Sequence, residues 1–446
     1  MTQSNLTFTE SHEIPEGYKL SDLGQCPLTW EVKPVKDIAK VIDSLHMTPS
    51  FSNDGYPMVR VADIKTGNLD LSTTLKVNRQ VFLNFIRNYK PQKNDIVLSR
   101  VGSYGVSSFV ATEEEFCIGQ NTVVIKSNIN ANYLYYALNS KTTWQQIENG
   151  SFGSGYKSLS LKNINELKIY VPEILEQQKI ATALSDTDAL ISKLEKLIEK
   201  KQAIKTATMQ QLLTGKTRLP EFALREDGTP KTYKESELGQ IPEDWDIKSY
   251  GEIFKFLSTA NNARDDLGEE GDYSYIHYGD IHTKFNECID CEKVSFPKID
   301  KEKVSSVFVK SGDLVMADAS EDYAGIGKSI EMINVNSNMV AGLHTFLLRD
   351  EKKYYVDGFK AYLHLIPKVK KSMDRLATGL KVYSLSKTVL KTIFVPIPLK
   401  EEQSAIVAFL NDMNLDIEIS EQKLAKFKLI KQGMMQELLT GKTRLV

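Results

Sequence analysis

Cysteine is scarce: there are four in 446 residues, Cys26, Cys117, Cys288 and Cys291. They are too few and too scattered for the disulfide framework of a secreted protein, and they point to a reducing cytoplasm. Cys288 and Cys291 have metal-ligand spacing with His277 and His282 nearby, but no second pair completes a tetrahedral zinc site. Long apolar runs are absent as well. No stretch approaches the roughly 18 apolar residues of a membrane span, and the start, Met1 to Glu10, is polar, so a soluble chain that is not exported is expected. Excess charge of one sign is also missing. A net charge of −2 and a pI near 6.4 exclude a global positive field that would hold the chain on a polyanion, so any basic surface is local.

The motifs of several enzyme classes are incomplete. Gly215-Lys216-Thr217, Gly327-Lys328-Ser329 and Gly441-Lys442-Thr443 end like a phosphate-binding loop, but the leading glycine is replaced by Gln210, Asp322 and Gln436. Phe152-Gly153-Ser154-Gly155 is like a methyl-donor loop. The chain nevertheless has no Asn-Pro-Pro-aromatic or Asp-Pro-Pro-Tyr run with which an amino methyltransferase handles a flipped base. Glu243, Asp246 and Lys248 hint at a nuclease set, yet they lie in a repeated segment whose first copy is Leu28 to Lys33, so both copies read as structural lead-in strands. An enzyme fused to these domains would need a catalytic segment that the sequence does not contain.

What the sequence does contain is a repeat. Residues 209–219, MQQLLTGKTRL, recur at 435–445 as MQELLTGKTRL, and the same offset of 226 carries Glu176-Gln177 onto Glu402-Gln403 and Leu184 onto Leu410. Upstream, Leu23-Gly24-Gln25, Pro27 and Trp30 match Leu238-Gly239-Gln240, Pro242 and Trp245 at an offset of 215, so an insertion of 11 residues separates the two offsets. Tyr18-Lys19 matches Tyr233-Lys234. Each unit is thus a lead-in motif, a globular domain and a helix. With a length sufficient for about three ordinary domains, at least two hydrophobic cores are expected.

The helices show a 4,3 spacing of mostly apolar positions: Ile180, Leu184, Thr187, Ile191, Leu194 and Ile198 in the first, Ile406, Leu410, Met413, Ile417, Ser420, Leu424 and Phe427 in the second. This is a coiled-coil seam. Lysines dominate the exposed face of the first helix, and neither helix has an internal proline. Gly215 and Gly441 fall where a left-handed cap ends a helix, with Lys216 and Lys442 near its negative end. The Thr-Gly-Lys-Thr run is explained without phosphate. Because the first helix leaves one domain for the next, pairing of the seams is antiparallel, and a helix over 176–213 spans about 57 Å. The paired helices hold the domains apart.

Between these landmarks short β-rich runs, Asp95 to Leu98, Thr122 to Ile125, Leu314 to Met316 and Thr345 to Leu348, alternate with Gly, Asn and Ser loops. A helix is expected over Ala131 to Glu148 and another over Asp357 to Met373. The fold class is α+β, with two pseudo-symmetric globular domains separated by a long antiparallel two-helix coiled coil. The expected segments are a first domain over 1–175, a first spacer helix over 176–214, a linker and second domain over 215–400, and a second spacer helix over 401–446. Trp30 and Trp245, each just before a domain's first strand, read as buried anchors rather than stacking platforms.

Val171-Pro172 before Glu176-Gln177, Val395-Pro396 before Glu402-Gln403, Asp95-Ile96-Val97, Gly312-Asp313-Leu314-Val315 and the two Leu-Thr-Gly-Lys helix ends resemble the specificity subunit of type I restriction-modification systems, over nearly the whole chain. The resemblance implies a non-catalytic subunit in which each globular part is a target-recognition domain reading one half of a bipartite site in double-stranded DNA. It also implies that the helices set the gap and dock two methyltransferase subunits, which methylate adenine with S-adenosylmethionine, while restriction and translocase subunits join for cleavage. No cofactor is expected on this chain; S-adenosylmethionine, ATP and magnesium belong to those partners, and no membrane is involved. Half-sites displaced along a duplex need a rigid arm, since one helical turn advances roughly 34 Å. The family's circular organisation is visible too, with Tyr18 to Trp30 reading as the counterpart of the connection Thr214 to Trp245.

Candidate reading residues fall in loops after the Asp-Ile-Val and Gly-Asp-Leu-Val strands. In the first domain they are Ser99, Arg100, Ser103 and Tyr104, with Arg100 suited to a guanine edge, and Gln120 and Asn121, whose amides suit adenine. Ser154, Tyr156, Lys157 and Ser158 form a further candidate loop, whose counterpart holds Lys381, Tyr383 and Ser384. In the second domain Asp318, Ser320 and Tyr323 lie in a loop that is acidic where the first carries arginine, with Lys328 and His344 nearby. The two domains should therefore read different bases. Solvated turns are the bland alternative for each loop, and a coiled-coil adaptor that binds proteins but not DNA is the alternative for the whole chain.

Overall fold

The computed structural model describes residues 14–150, 158–379 and 381–445. They fall into two compact units: the described residues up to Leu197 together with those from Ser420 onward, and Ile198–Ile419. The long helices Ile174–Leu213 and Lys400–Leu438 each contribute to both units, whereas the sequence pattern set 176–214 and 401–446 apart as spacers. Packing explains the difference. Ile180 and Leu184, near the start of the first helix, and Leu438 and Leu439, at the end of the second, belong to the core of the first unit. Met209, Leu212 and Leu213 join Ile406 and Leu410 in the core of the second.

Each unit is built on a five-stranded sheet of one topology. In the first the strand order is Ala39–Asp43, Thr122–Ser127, Ile96–Ser99, Ser107–Phe109, Gly67–Asn68. In the second it is Lys255–Leu257, Thr345–Arg349, Leu314–Ala317, Ser329–Ile333, Cys288–Asp290. In both, the first four strands are antiparallel and the last is parallel to its neighbour. Alternate strand residues face opposite sides: Ile96, Leu98, Val123 and Ile125 enter the core with Trp30 and Tyr133, while Val97 and Val124 enter another with Val59 and Phe116. A sheet covered on both faces reads as an unbroken apolar run. The pattern of the sequence there is continuous for that reason.

The expected helix over Ala131 to Glu148 is two helices, Ala131–Leu138 and Lys141–Gly150. The Ser140 hydroxyl accepts a hydrogen bond from the Thr143 N–H at 3.3 Å, a capping contact that starts a new helix instead of continuing the old one. The expected helix over Asp357 to Met373 also divides, into a 3₁₀ segment Lys360–Leu365 and a helix Pro367–Leu376. Proline at the first position supplies no N–H and turns Ile366 away from helical geometry.

Within the first unit Thr187 meets Met434, Asp188 pairs with Lys431 at 2.6 Å and Glu195 with Lys428 at 2.8 Å, so residue numbers rise along one helix as they fall along the other. The pairing is antiparallel. Ile180, Leu184, Ile191, Leu194 and Ile198 are buried, and the polar seam position Ser420 is buried with Ile406, Leu410 and Ile417. Gly215 and Gly441 have φ of 68° and 73° and end the helices as left-handed caps. Behind them Thr217 N–H reaches Gln211 O at 3.4 Å and Thr443 N–H reaches Glu437 O at 3.3 Å. The Thr-Gly-Lys-Thr segments are helix ends.

Candidate nucleic-acid interface

The frame that carries each recognition surface begins at the Glu-Gln pair. Glu176 accepts from the Trp30 indole N–H at 2.9 Å and from Arg444 Nε and Nη2 at 2.6 and 2.8 Å. Glu402 accepts from the Trp245 indole at 2.7 Å and from Arg218 Nε and Nη2 at 2.8 and 2.5 Å. The two guanidinium carbons sit 5.9 and 6.0 Å from the tryptophan ring centroids, within cation–π range. Burial pushes the Glu176 carboxyl up, but the Arg444 and Trp30 hydrogen bonds outweigh it and hold the group below the usual carboxylate range. Both tryptophans are fully buried anchors, in line with their position before the strands Glu31–Pro34 and Asp246–Ser249. Gln177 and Gln403 accept from the backbone N–H of Asn130 and Val356, at 3.0 and 2.9 Å, and donate to the Pro172 and Pro398 carbonyls at 2.8 Å. The repeated Glu-Gln therefore ties a helix start to a buried tryptophan and to the body of its domain. The arginine partners, Arg444 and Arg218, went unnoticed in the sequence, although both stand inside the repeated eleven residues.

On this frame the two units build the same edge. Arg100 N–H donates to Asn121 O at 2.9 Å, and Asp318 N–H donates to His344 O at 3.0 Å. Leu159 N–H donates to Arg100 O, and Leu385 N–H to Asp318 O, each at 2.8 Å. Thr122 and Thr345 donate their hydroxyls to Gly119 O and Gly342 O at 2.6 and 2.5 Å. Asn121 and His344 both hold left-handed backbone, with φ of 65° and 57°. Val101 bridges to Ser158 as Ala319 pairs with Ser384. The backbone repeats while the side chains differ.

Three candidates serve the loops rather than a ligand. Ser99 is fully buried and its hydroxyl donates to Ser103 O, stapling the turn that Gly102 and Gly105 make at φ of 71° and 80°. The Arg100 guanidinium is not a free fork: its Nη1 pairs with Asp43 at 2.9 and 3.0 Å and its Nε donates to Leu159 O at 3.0 Å. Ser320 is buried and its hydroxyl accepts from Asp322 N–H at 3.3 Å, closing the acidic turn. Short loops saturate their own polar groups first, and sequence alone does not show which side chain is consumed that way.

Most of the other described candidates lie outward, whereas the Asp318 carboxyl is turned inward beside His344. Ser103, Gln120 and Ser158 are exposed, Asn121 is half-buried, and Tyr104 leans on Trp144 at 6.4 Å. In the second unit Tyr323 packs against Tyr383 with ring centroids 3.9 Å apart and planes tilted by 31°, and Lys381 and Ser384 are exposed. His344 Nδ1 faces Asp318 Oδ1 at 3.4 Å, and burial pushes the Asp318 carboxyl up despite that neighbour. Lys328 donates to His282 O at 3.2 Å and, with Tyr278, Glu321 and His344, lines a cavity of about 650 Å³. Ser154, Tyr156 and Lys157 lie outside the described residues.

Other chemistries find less support. Burial pushes the Cys288 and Cys291 thiols up to about 12 and 11. Among the described residues no group of three or more His, Cys, Asp or Glu side chains could hold a metal ion, and no helix is long and apolar enough to cross a membrane. Glu243 pairs with Arg225 at 2.7 Å and Asp244 with Arg218 at 2.7 Å, so the acidic residues of the repeated segment brace the frame.

The family model of the type I restriction modification DNA specificity domain matches residues 27–206 and again 242–429. The chain belongs to this family. Among relatives of this specificity-domain chain is the putative type I restriction enzyme MjaX specificity subunit of Methanocaldococcus jannaschii, 28% identical over 96% of this chain and 97% of that one. The MjaVIII specificity subunit of the same organism is 27% identical over 94% of each chain. A type I S subunit from M. genitalium superposes with a TM-score of 0.51 at 16% identity, over 92% of this chain and 96% of that one. A chain from a structure concerned with assembly and conformational transition of the type I R-M system gives 0.56 at 14%, over 94% and 99%. The two matched stretches each contain the tryptophan and glutamate of one clasp together with one edge, while Arg218 and Arg444 lie outside them.

Proposed function

We propose that this chain is the non-catalytic DNA-specificity subunit of a type I restriction-modification complex, each globular domain reading one half of an asymmetric bipartite site in double-stranded DNA. The observation that carries the reading is the pairing of a repeated frame with divergent edges: the Trp-Glu-Arg clasp and the edge backbone recur bond for bond, while Arg100 and Asn121 in one copy stand where Asp318 and His344 stand in the other. A structural repeat under no demand to discriminate has no need of that division. Sequence is read by side chains at base edges, and the scaffold that positions them is free to repeat. The outward candidates, Ser103, Tyr104, Gln120, Asn121 and Ser158 in the first domain and Tyr323, Lys328, His344, Lys381, Tyr383 and Ser384 in the second, supply the contacts. Two methyltransferase subunits dock on the helices, which set the gap between half-sites, and restriction and translocase subunits complete the assembly in the cytoplasm. S-adenosylmethionine, ATP and magnesium reside on those partners. A near-neutral chain suits this arrangement because partners share the phosphate contacts, and binding weakens as salt rises.

Single-molecule methylation mapping in a host with and without the chain tests the proposal. A split adenine motif should vanish on deletion, and its gap should change when residues are inserted into the helix Ile174–Leu213. An unchanged methylome would return the chain to the adaptor reading.

A further inference from the structure

The hydrogen bonds that make the two edges equivalent also single out one residue in each. We infer that Asn121 and His344 are equivalent base-specifying residues, one for each half-site, each contacting a base edge in the major groove of double-stranded DNA; this rests on the specificity reading above. Three observations converge on the pair. Both residues occupy a left-handed backbone position, which glycine fills at least cost and which Asn and His adopt more readily than most other side chains. Both are fixed alike, by the carbonyl that accepts from Arg100 or Asp318 and by the following threonine, whose hydroxyl bonds back to Gly119 or Gly342. The side chains themselves are left available. The Asn121 amide makes no hydrogen bond among the described residues, and the His344 ring, exposed and edge-on to Tyr278 at 5.4 Å, has only Asp318 against one of its nitrogens.

A polar side chain with a hydrogen-bonding edge left open among the described residues, on backbone held by flanking hydrogen bonds, meets the requirement for direct readout, because the donor and acceptor positions are set before the ligand arrives. The Asn121 amide matches the N6 and N7 pair of adenine. The His344 imidazole, with Nδ1 turned to Asp318, presents Nε2 to a different edge. The neighbours are less available: Arg100 Nε and Nη1 are tied to Leu159 O and Asp43, and the Asp318 carboxyl is half-buried with Oδ1 3.4 Å from His344 Nδ1. The different side chains at one shared position make the half-sites different.

Glycine gives a clean test, since Asn121→Gly and His344→Gly remove the side chain and keep the backbone conformation without strain. Each variant is assembled with its methyltransferase subunits, and genomic DNA methylated by the complex is mapped alongside the unaltered assembly. Asn121→Gly should relax base preference at one position of one half-site, by roughly tenfold to a hundredfold, with the other half unchanged. His344→Gly should do so in the opposite half. Reciprocal Asn121→His and His344→Asn variants should shift the preferred base at those same positions. Melting curves of the variants check that each is folded. Identical motifs from variant and unaltered complexes would overturn the inference and show that the residues serve only the turn, as would relaxation in both halves at once. If the unaltered assembly shows no bipartite motif, it is the specificity reading that fails, and the two outcomes are distinct.

Discussion

Tyr18 donates its hydroxyl to the carbonyl of Gly441 at 2.9 Å, and Tyr233 does the same to Gly215 at 3.0 Å. Each bond ties a lead-in strand to a left-handed helix cap, and the cap in turn packs on the proline and tryptophan of its own unit: a Cβ on Gly215 would collide with Pro242, and one on Gly441 with Pro27. The lead-in motif and the helix end recur together because each shapes the other.

Gly215→Ala and Gly441→Ala should each be destabilising. A left-handed φ costs alanine about 1 kcal/mol, and the collision with the proline ring adds to it. A loss of roughly 2 kcal/mol or more in denaturant unfolding is expected for each. Gly433→Ala, at an exposed position inside the second long helix with no neighbour within 4 Å, should instead be neutral or stabilising, and a similarly neutral outcome at Gly215 or Gly441 would contradict the expectation.

The two clasps should differ in strength. Arg218 is 4% exposed and its partner Glu402 1%, whereas Arg444 is 28% exposed and Glu176 5%. Arg218 is further braced by Asp244, which Lys231 also holds. Removing one partner from a buried pair strands the other charge. Arg218→Ala should therefore cost about 3–5 kcal/mol, and Arg444→Ala about 1–3 kcal/mol because water reaches that carboxylate more easily. Equal costs in urea melts would show that burial does not set the difference.

In the second unit Lys360 and Glu331 form an ion pair at 2.7 Å, 2% and 0% exposed, with Glu331 also accepting from Gly358 and Ala361 N–H at 2.8 and 3.1 Å. The first unit has Leu134 in the corresponding place, inside an apolar core. Lys360→Leu alone should destabilise the second unit by about 3–5 kcal/mol, since it buries an unpaired carboxylate. Adding Glu331→Gln should recover part of that loss. A double variant no better than the single one would argue against pairing as the cause.

His364 gives the second unit an acid limit. Burial, with Lys328 and Lys370 nearby, pushes the imidazole down to about 3 from 6.5, and Nδ1 lies 2.9 Å from Ser329 Oγ. The folded chain excludes a proton that the unfolded chain takes up below pH 6.5. Stability is therefore fully present above pH 6.5 and is lost as pH falls toward 3, by about 1.4 kcal/mol per pH unit from this group. His364→Asn should flatten that slope in thermal melts from pH 7 to pH 5. An unaltered slope would assign the acid sensitivity to other groups.

The sequence by itself determined the repeat, the antiparallel seam, the glycine caps and the four central strand runs, because each is a periodic or strongly local signal: seven-residue spacing, an unbroken apolar run, a glycine after the last apolar residue. It also marked the loops that form the edges. Tertiary structure decided the rest. It broke the expected helices at Ser140 and Pro367, where a capping hydroxyl and a missing N–H outweigh apolar periodicity. It also drew both long helices into the cores of two units. It withdrew Ser99, Arg100 and Ser320 from the candidate surface by giving their polar groups partners, Asp43 among them from 57 residues away. No local pattern records such a partner, so which polar side chain of a loop is spent on the protein and which is left for a ligand is decided only when distant segments meet.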